Sequence, residues 1–129
     1  MTEDMDEAIG KVQDAYEAFN RGDFDSAARF VHPDIVFHRV ADVESTLQGR
    51  DAVRANMEPE IFATQHGEVL STEVIADCVV CRVDFTAKGA GSGIEMSDDA
   101  WHLWRMKDGK AIEFRYFDSR DEAVAAADS

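Results

Sequence analysis

Long apolar runs are missing from this chain: none approaches the ~18 residues of a membrane span. The start, Met-Thr-Glu-Asp-Met-Asp-Glu, lacks the basic residues and apolar stretch of a secretory signal, so a cytoplasmic location is expected. Basic residues are scarce, 13 against 27 acidic ones, for a formal net charge of −14. Phosphate backbones and anionic lipid surfaces would be repelled, which disfavours nucleic acid and membranes as partners. Only two cysteines occur, Cys78 and Cys81, in a Cys-x-x-Cys spacing. They lie within Val-Ile-Ala-Asp-Cys-Val-Val-Cys-Arg-Val-Asp-Phe, which reads as a strand. Residues three apart on a strand face opposite ways, so the two thiols cannot share a metal or form a redox pair. The four histidines, His32, His38, His66 and His102, have no ligand spacing such as His-x-x-x-His. No metal and no cofactor are expected. Internal repeats and linkers are also missing, and 129 residues suit one domain spanning 1–129. A chain of that length buries roughly two-thirds of its unfolded surface and folds without disulfide or metal.

The patterning that is there alternates helix and strand. Ile9, Val12, Ala15, Tyr16 and Phe19 form a helical stripe from Met5 to Asn20. Gly22 suits the left-handed stop, and Asp23 can cap a second helix, Phe24 to Val31. His32-Pro33-Asp34 breaks that helix. A short strand, Ile35 to Val40, and a loop, Ala41 to Gln48, precede a third helix from Ala52 to about Ala63, kinked or cut short by Pro59. Four strands are then expected at about Glu68–Ala76, Cys78–Ala87, Ile94–Met106 and Ala111–Phe117, with an Asp108-Gly109 hairpin turn before the last. Asp118-Ser119 can cap a final helix, Arg120 to Ala127. Gly89, Gly91 and Gly93 form Gly-x-Gly-x-Gly, but they join two strands and open no helix, so a phosphate cradle is not expected. Helices over a meander of hairpin-linked strands make a two-layer α+β domain with an antiparallel sheet.

Several stretches carry a family resemblance. Tyr16-Glu17-Ala18-Phe19-Asn20-Arg21-Gly22-Asp23-Phe24-Asp25, Phe30-Val31-His32-Pro33-Asp34-Ile35-Val36-Phe37 and Gly49-Arg50-Asp51-Ala52-Val53-Arg54 resemble the nuclear transport factor 2-like superfamily. So do Trp104-Arg105-Met106-Lys107-Asp108-Gly109-Lys110 and Phe114-Arg115-Tyr116-Phe117-Asp118. The narrower resemblance is to its SnoaL-like and ketosteroid-isomerase-like members. It implies a cone-shaped α+β barrel: three helices from the N-terminal half on a strongly curved, mainly antiparallel sheet, with a short C-terminal helix. It also implies a deep apolar pocket for a small molecule and a homodimer through the outer sheet face. Fold does not settle function on this scaffold.

The catalytic sets of the superfamily are each incomplete here. The ketosteroid-isomerase base falls on Arg39, its oxyanion tyrosine on Ala15, one residue before Tyr16, and its oxyanion acid on His102. An epoxide-hydrolase-like set is half present: Arg82-Val83-Asp84 fits one pair, while Phe37, Arg39 and Arg115 or Tyr116 occupy the other positions. A SnoaL-like cyclase set would draw on Asp84, His102 and Asp118. Strand parity separates Val80, Arg82 and Asp84 from the apolar Val79, Cys81, Val83 and Phe85. Composition alone turns the apolar set to the core; the resemblance turns Arg82 and Asp84 inward.

Two functional expectations follow. In the first, a lyase, isomerase or cyclase, or an epoxide-hydrolase-like enzyme using Arg82 and Asp84, acts on a small, largely apolar molecule with a carbonyl or ring oxygen. Asp84 is then the base, Arg82 holds it ionised, and His102 or Tyr116 donates to the developing oxyanion. Arg39, Tyr16, Phe19, Phe37, Met57, Trp104 and Phe114 would bind the ligand. In the second, the domain binds an organic acid through Arg39 and Arg82 without chemistry.

Overall fold

The computed structural model describes residues 5–38, 46–57 and 62–128. Helix α1, Met5–Asn20, buries Ala8, Val12 and Ala18 of the expected stripe and its neighbours. It ends as the sequence predicts: Gly22 takes a positive φ of 80°, and the Asp23 amide turns back to the Ala18 carbonyl at 2.9 Å. Asp23 then caps α2, Phe24–Arg29, by accepting from the Ser26 amide.

Strand β1, Val31–His38, starts four residues earlier than expected and runs through Pro33. Its ladder with the last strand is irregular between Val31 and Val36. Proline is tolerated there because the interrupted ladder needs no donor at that position. Thr46–Gln48, expected in a loop, forms β2 and pairs antiparallel with β1. Helix α3, Arg50–Asn56, is shorter than the predicted 52–63; Pro59 and the expected kink lie outside the described residues.

Four long strands follow: β3 Phe62–Ile75, β4 Cys78–Gly89, β5 Glu95–Lys107 and β6 Lys110–Phe117. β3 begins six residues before its predicted start because 62–67 extend the β3–β4 ladder, from Phe62 opposite Gly89 to Gly67 opposite Phe85. Asp108 and Gly109, at φ 54° and 79°, make the predicted tight turn into β6. Helix α4, Arg120–Ala127, is capped by Ser119.

The six strands lie in the order β2-β1-β6-β5-β4-β3. Every neighbouring pair is antiparallel except β1 and β6. The sheet is curved and unclosed, with α1, α2 and α3 from the N-terminal half and the short C-terminal α4 packed on it, which is the expected α+β class. Among the described residues no helix is long and apolar enough to cross a membrane.

Parity on β4 sorts the core into two. Val79, Cys81 and Val83 join Val12, Ile35, Val53, Trp104 and Phe114 in the cluster beneath the N-terminal helices. Cys78 and Val80 join Leu103, Ala123 and Ala127 in a second cluster beneath α4. The two thiols therefore sit on opposite faces, as their spacing predicts. Burial pushes each of them up to about 12, so both are held protonated at neutral pH. Arg105 ties α4 down: it binds Asp77 at 2.5 Å and Glu113 at 3.2 Å and donates to the Ala126 carbonyl. At the free edge, β3 carries a bulge between Val69 and Ser71, and Leu70 there is 48% exposed.

Candidate functional site: a neutral, aromatic cavity

Between α1, α3 and the inner sheet face lies a cavity of about 200 Å³. Its apolar wall includes Phe19, Phe30, Phe37, Met57, Phe85 and Phe114. Phe37 stacks on Phe114 with ring centroids 4.3 Å apart, and Trp104 packs edgewise on Phe30 at 5.3 Å. β3 comes close to this wall at Gly67, where a Cβ would sit in van der Waals contact with the Tyr16 ring at 3.4 Å. The Asn20 side chain holds the approach, donating to the Gly67 carbonyl at 2.9 Å and accepting its amide at 2.8 Å.

The polar part of the wall is one hydrogen-bonded chain. Trp104 donates its indole N–H to the Tyr16 hydroxyl at 3.1 Å, and that hydroxyl lies 2.5 Å from His102 Nδ1. Strand parity places Trp104 and His102 on the same face of β5, and α1 brings Tyr16 over both. Burial raises Tyr16 well above the usual phenol range, with the nearby Cys81 adding to it. Burial also lowers His102 to about 4, against a small opposing pull from Asp98. Both groups are therefore neutral at neutral pH. Asn56 and Gln65 add uncharged amides, and Gln65 donates to the Met57 carbonyl at 3.0 Å. No charged side chain is among the described residues lining the cavity.

The expected site residues divide accordingly. His102, Tyr16, Phe19, Phe37, Met57, Trp104 and Phe114 all line the cavity. Arg39 lies outside the described residues. Arg82 and Asp84 do not line the cavity, a correction to the inward placement taken from the resemblance. Cys81, Val83 and Phe85 hold the inner face of β4, so the intervening Arg82 and Asp84 turn outward. Arg82 there makes a two-pronged pair with Asp99, with its side chain 46% exposed. The reason is desolvation: an apolar strand face is cheaper to bury than an ion pair. Tyr116 faces inward but stops short of the cavity. It packs beside His102 at 6.0 Å between centroids and donates to Asp98 at 2.7 Å. Burial, followed by the Asp98 carboxylate, raises its pKa.

Asp98 was not among the expected site residues, yet parity could have found it: on β5 it shares a face with Ala100, His102 and Trp104. The exposed, charged stretch around it gives no other signal. Phe85, Asn56 and Gln65 were also missed, the last because the sequence pattern ends a helix where β3 in fact runs.

The model of the SnoaL-like domain family matches residues 12–114. The chain belongs to this family. Three solved structures share the fold of this SnoaL-like domain. A nuclear transport factor 2-like protein of unknown function from Burkholderia pseudomallei aligns at TM-score 0.77 and 19% identity, over 95% of this chain and 98% of that one. TerC co-crystallised with polyporic acid aligns at 0.75 and 18%, over 95% and 99%. A protein assigned as a SnoaL-like polyketide cyclase, from Jannaschia sp. CCS1, aligns at 0.74 and 21%, over 94% and 90%. No curated protein matches the chain. The SnoaL-like domain thus shares the fold of these structures and encloses the cavity described above.

Proposed function

We propose that this SnoaL-like domain takes a small, neutral, largely aromatic or alicyclic oxygen-bearing molecule into the cavity. The observation that carries the reading is the lining: among the described residues, stacked aromatic rings are interrupted only by uncharged polar groups. A neutral apolar ligand loses little on entering such a wall, whereas an anion would leave its hydration shell with no cation among the described lining residues to replace it. That argues against the Arg82 half of the organic-acid reading, since Arg82 is engaged on the other face; Arg39 lies outside the described residues. It argues equally against a base at Asp84 and against an epoxide-hydrolase-like pair at Arg82 and Asp84. TerC, crystallised with a small organic molecule, gives a precedent on the same scaffold. The homodimer implied by the family belongs to the same reading; twice the chain mass of 14.4 kDa in light scattering is its check.

A second reading, proton-transfer catalysis, is favoured by the Asp98 carboxylate. It is held by Tyr116 and lies on the same strand face as His102, four residues before it. Asp98 is exposed and not among the residues lining the cavity, so in this reading the ligand extends beyond the cavity wall: Asp98 takes a proton from it while its oxygen is bound at His102. One experiment separates the two. In a Trp101→Phe background, Trp104 is the sole tryptophan, and its fluorescence reports cavity filling. Titration with neutral aromatic ketones is expected to quench it saturably, with no product over time for pure binding. Product that forms, and that Asp98→Asn abolishes, selects catalysis. No saturable quenching by any neutral ligand would sink both.

A further inference from the structure

The proton count along the Trp104–Tyr16–His102 chain favours one arrangement. An indole N–H donates and cannot accept, so the Tyr16 oxygen is the acceptor in the bond from Trp104. The single Tyr16 proton must then go elsewhere. Its choices are His102 Nδ1 at 2.5 Å or the Cys81 sulfur at 3.9 Å, a far weaker acceptor. Cys81 is in turn within reach of the His102 carbonyl, at 3.7 Å, as an outlet for its own S–H. Nδ1 therefore accepts, and the one proton of the neutral imidazole sits on Nε2. That Nε2–H has no hydrogen-bond partner among the described residues, although His102 forms part of the cavity wall. No buried side-chain nitrogen or oxygen lacks a partner among the described residues, so the unpartnered Nε2–H is accessible, and a ligand oxygen in the cavity can accept from it.

We propose that Trp104 and Tyr16 are positioning residues that lock His102 as the Nε2–H tautomer, so that the cavity selects neutral ligands bearing a hydrogen-bond acceptor, such as a ketone or quinone oxygen. The selectivity half rests on the pocket reading above; the tautomer half does not. The groups that face His102 agree with it. Tyr16, Cys81, Phe114 and Tyr116 are uncharged, and Asp98, the nearest carboxylate, is occupied by the Tyr116 hydroxyl.

Two measurements test the halves separately. Long-range proton–nitrogen correlation spectra of the full, ¹⁵N-labelled chain at neutral pH distinguish a protonated from an unprotonated ring nitrogen. The wild type is expected to show His102 with Nε2 protonated and Nδ1 bare, and Tyr16→Phe a mixture of tautomers. A wild-type spectrum with Nδ1 protonated overturns the positioning role, and it needs no variant to fold. Matched probes then test selection: indane, 1-indanone and indane-1-carboxylate. The ketone is expected to bind about tenfold more tightly than the hydrocarbon, the worth of one hydrogen bond, and the carboxylate least. Binding of 1-indanone should also move the His102 Nε2 resonance, and Tyr16→Phe should shrink the ketone preference. Equal affinity for indane and 1-indanone overturns the selectivity while the pocket reading survives. No binding by any of the three overturns both, leaving the tautomer result to stand or fall by its spectrum.

Discussion

Trp104→Ala is expected to lower the free energy of unfolding by about 3–5 kcal/mol, the cost of deleting a buried large aromatic. Trp104 is 8% exposed and packs against Phe30, Phe37 and Phe114 with centroids 4.5 to 6.3 Å apart. Truncation removes those contacts and widens a cavity that is already present, so neighbours have little support from which to collapse inward. It also takes away the donor that fixes the Tyr16 hydroxyl. Urea titration with matched slopes is the measurement. Trp101, one residue earlier on the opposite face of β5, is the internal control. It is only partly buried, in the smaller cluster beneath α4, and Trp101→Ala should cost about 1–2 kcal/mol. Equal costs at the two positions would mean that the inner face is not the principal core.

The second large effect is a pH dependence owed to His102. Its folded pKa lies at about 4, below the ordinary 6.5 that it regains on unfolding. Between those values the unfolded chain binds a proton that the native chain refuses. Unfolding free energy therefore rises with pH through this window and is flat in His102 above it. The accumulated loss on acidifying from above pH 6.5 to pH 4 is on the order of 2–3 kcal/mol. Carboxylates act in the same direction but lower: Glu73 and Asp99 are held down by Arg120 and Arg82, and their contribution fades as the pH falls through the folded carboxylate range. His102→Gln separates the two causes. The variant's stability should stay nearly level from pH 6.5 to 5, where the wild type declines. Parallel curves for the two proteins would show that His102 is charged in the fold.

The legibility of this protein in its sequence depended on how local each signal is. Helix α1 carries its own stripe and glycine stop and helix α4 its own cap, and their bounds are as expected. β2 has no signal of its own, three residues made into a strand by β1 alongside. The stretch from residue 62 looks like the end of a helix because the apolar spacing fits one, but pairing with β4 outweighs that local preference. The aromatic lining was readable by parity, since Phe37, His102, Trp104 and Phe114 fall on inward positions. The direction of Arg82 and Asp84 was readable too, and composition gave it correctly; the resemblance misled, because a matching Arg-x-Asp spacing does not fix which face of the strand the pair occupies. Asp98 shows the converse: parity puts it on the inward face, but its contact with Tyr116 of β6 is long-range and stands in no local pattern.

The unpaired margin of β3 bears on behaviour outside the native state. A strand of 14 residues with one side free among the described residues is a template for further strands, and exposed Leu70 and Val74 would favour their addition. The bulge at Leu70 bends the template, and Glu68 and Glu73 lie along the same strand, in a chain whose net charge is −14. These are guards against self-association, and two of them are electrostatic. They weaken toward the isoelectric point near 4.5, the same range in which His102 favours the open chain. Acid thus weakens the guard and loosens the fold together, so light scattering is expected to rise on acidification before the loss of structure is complete.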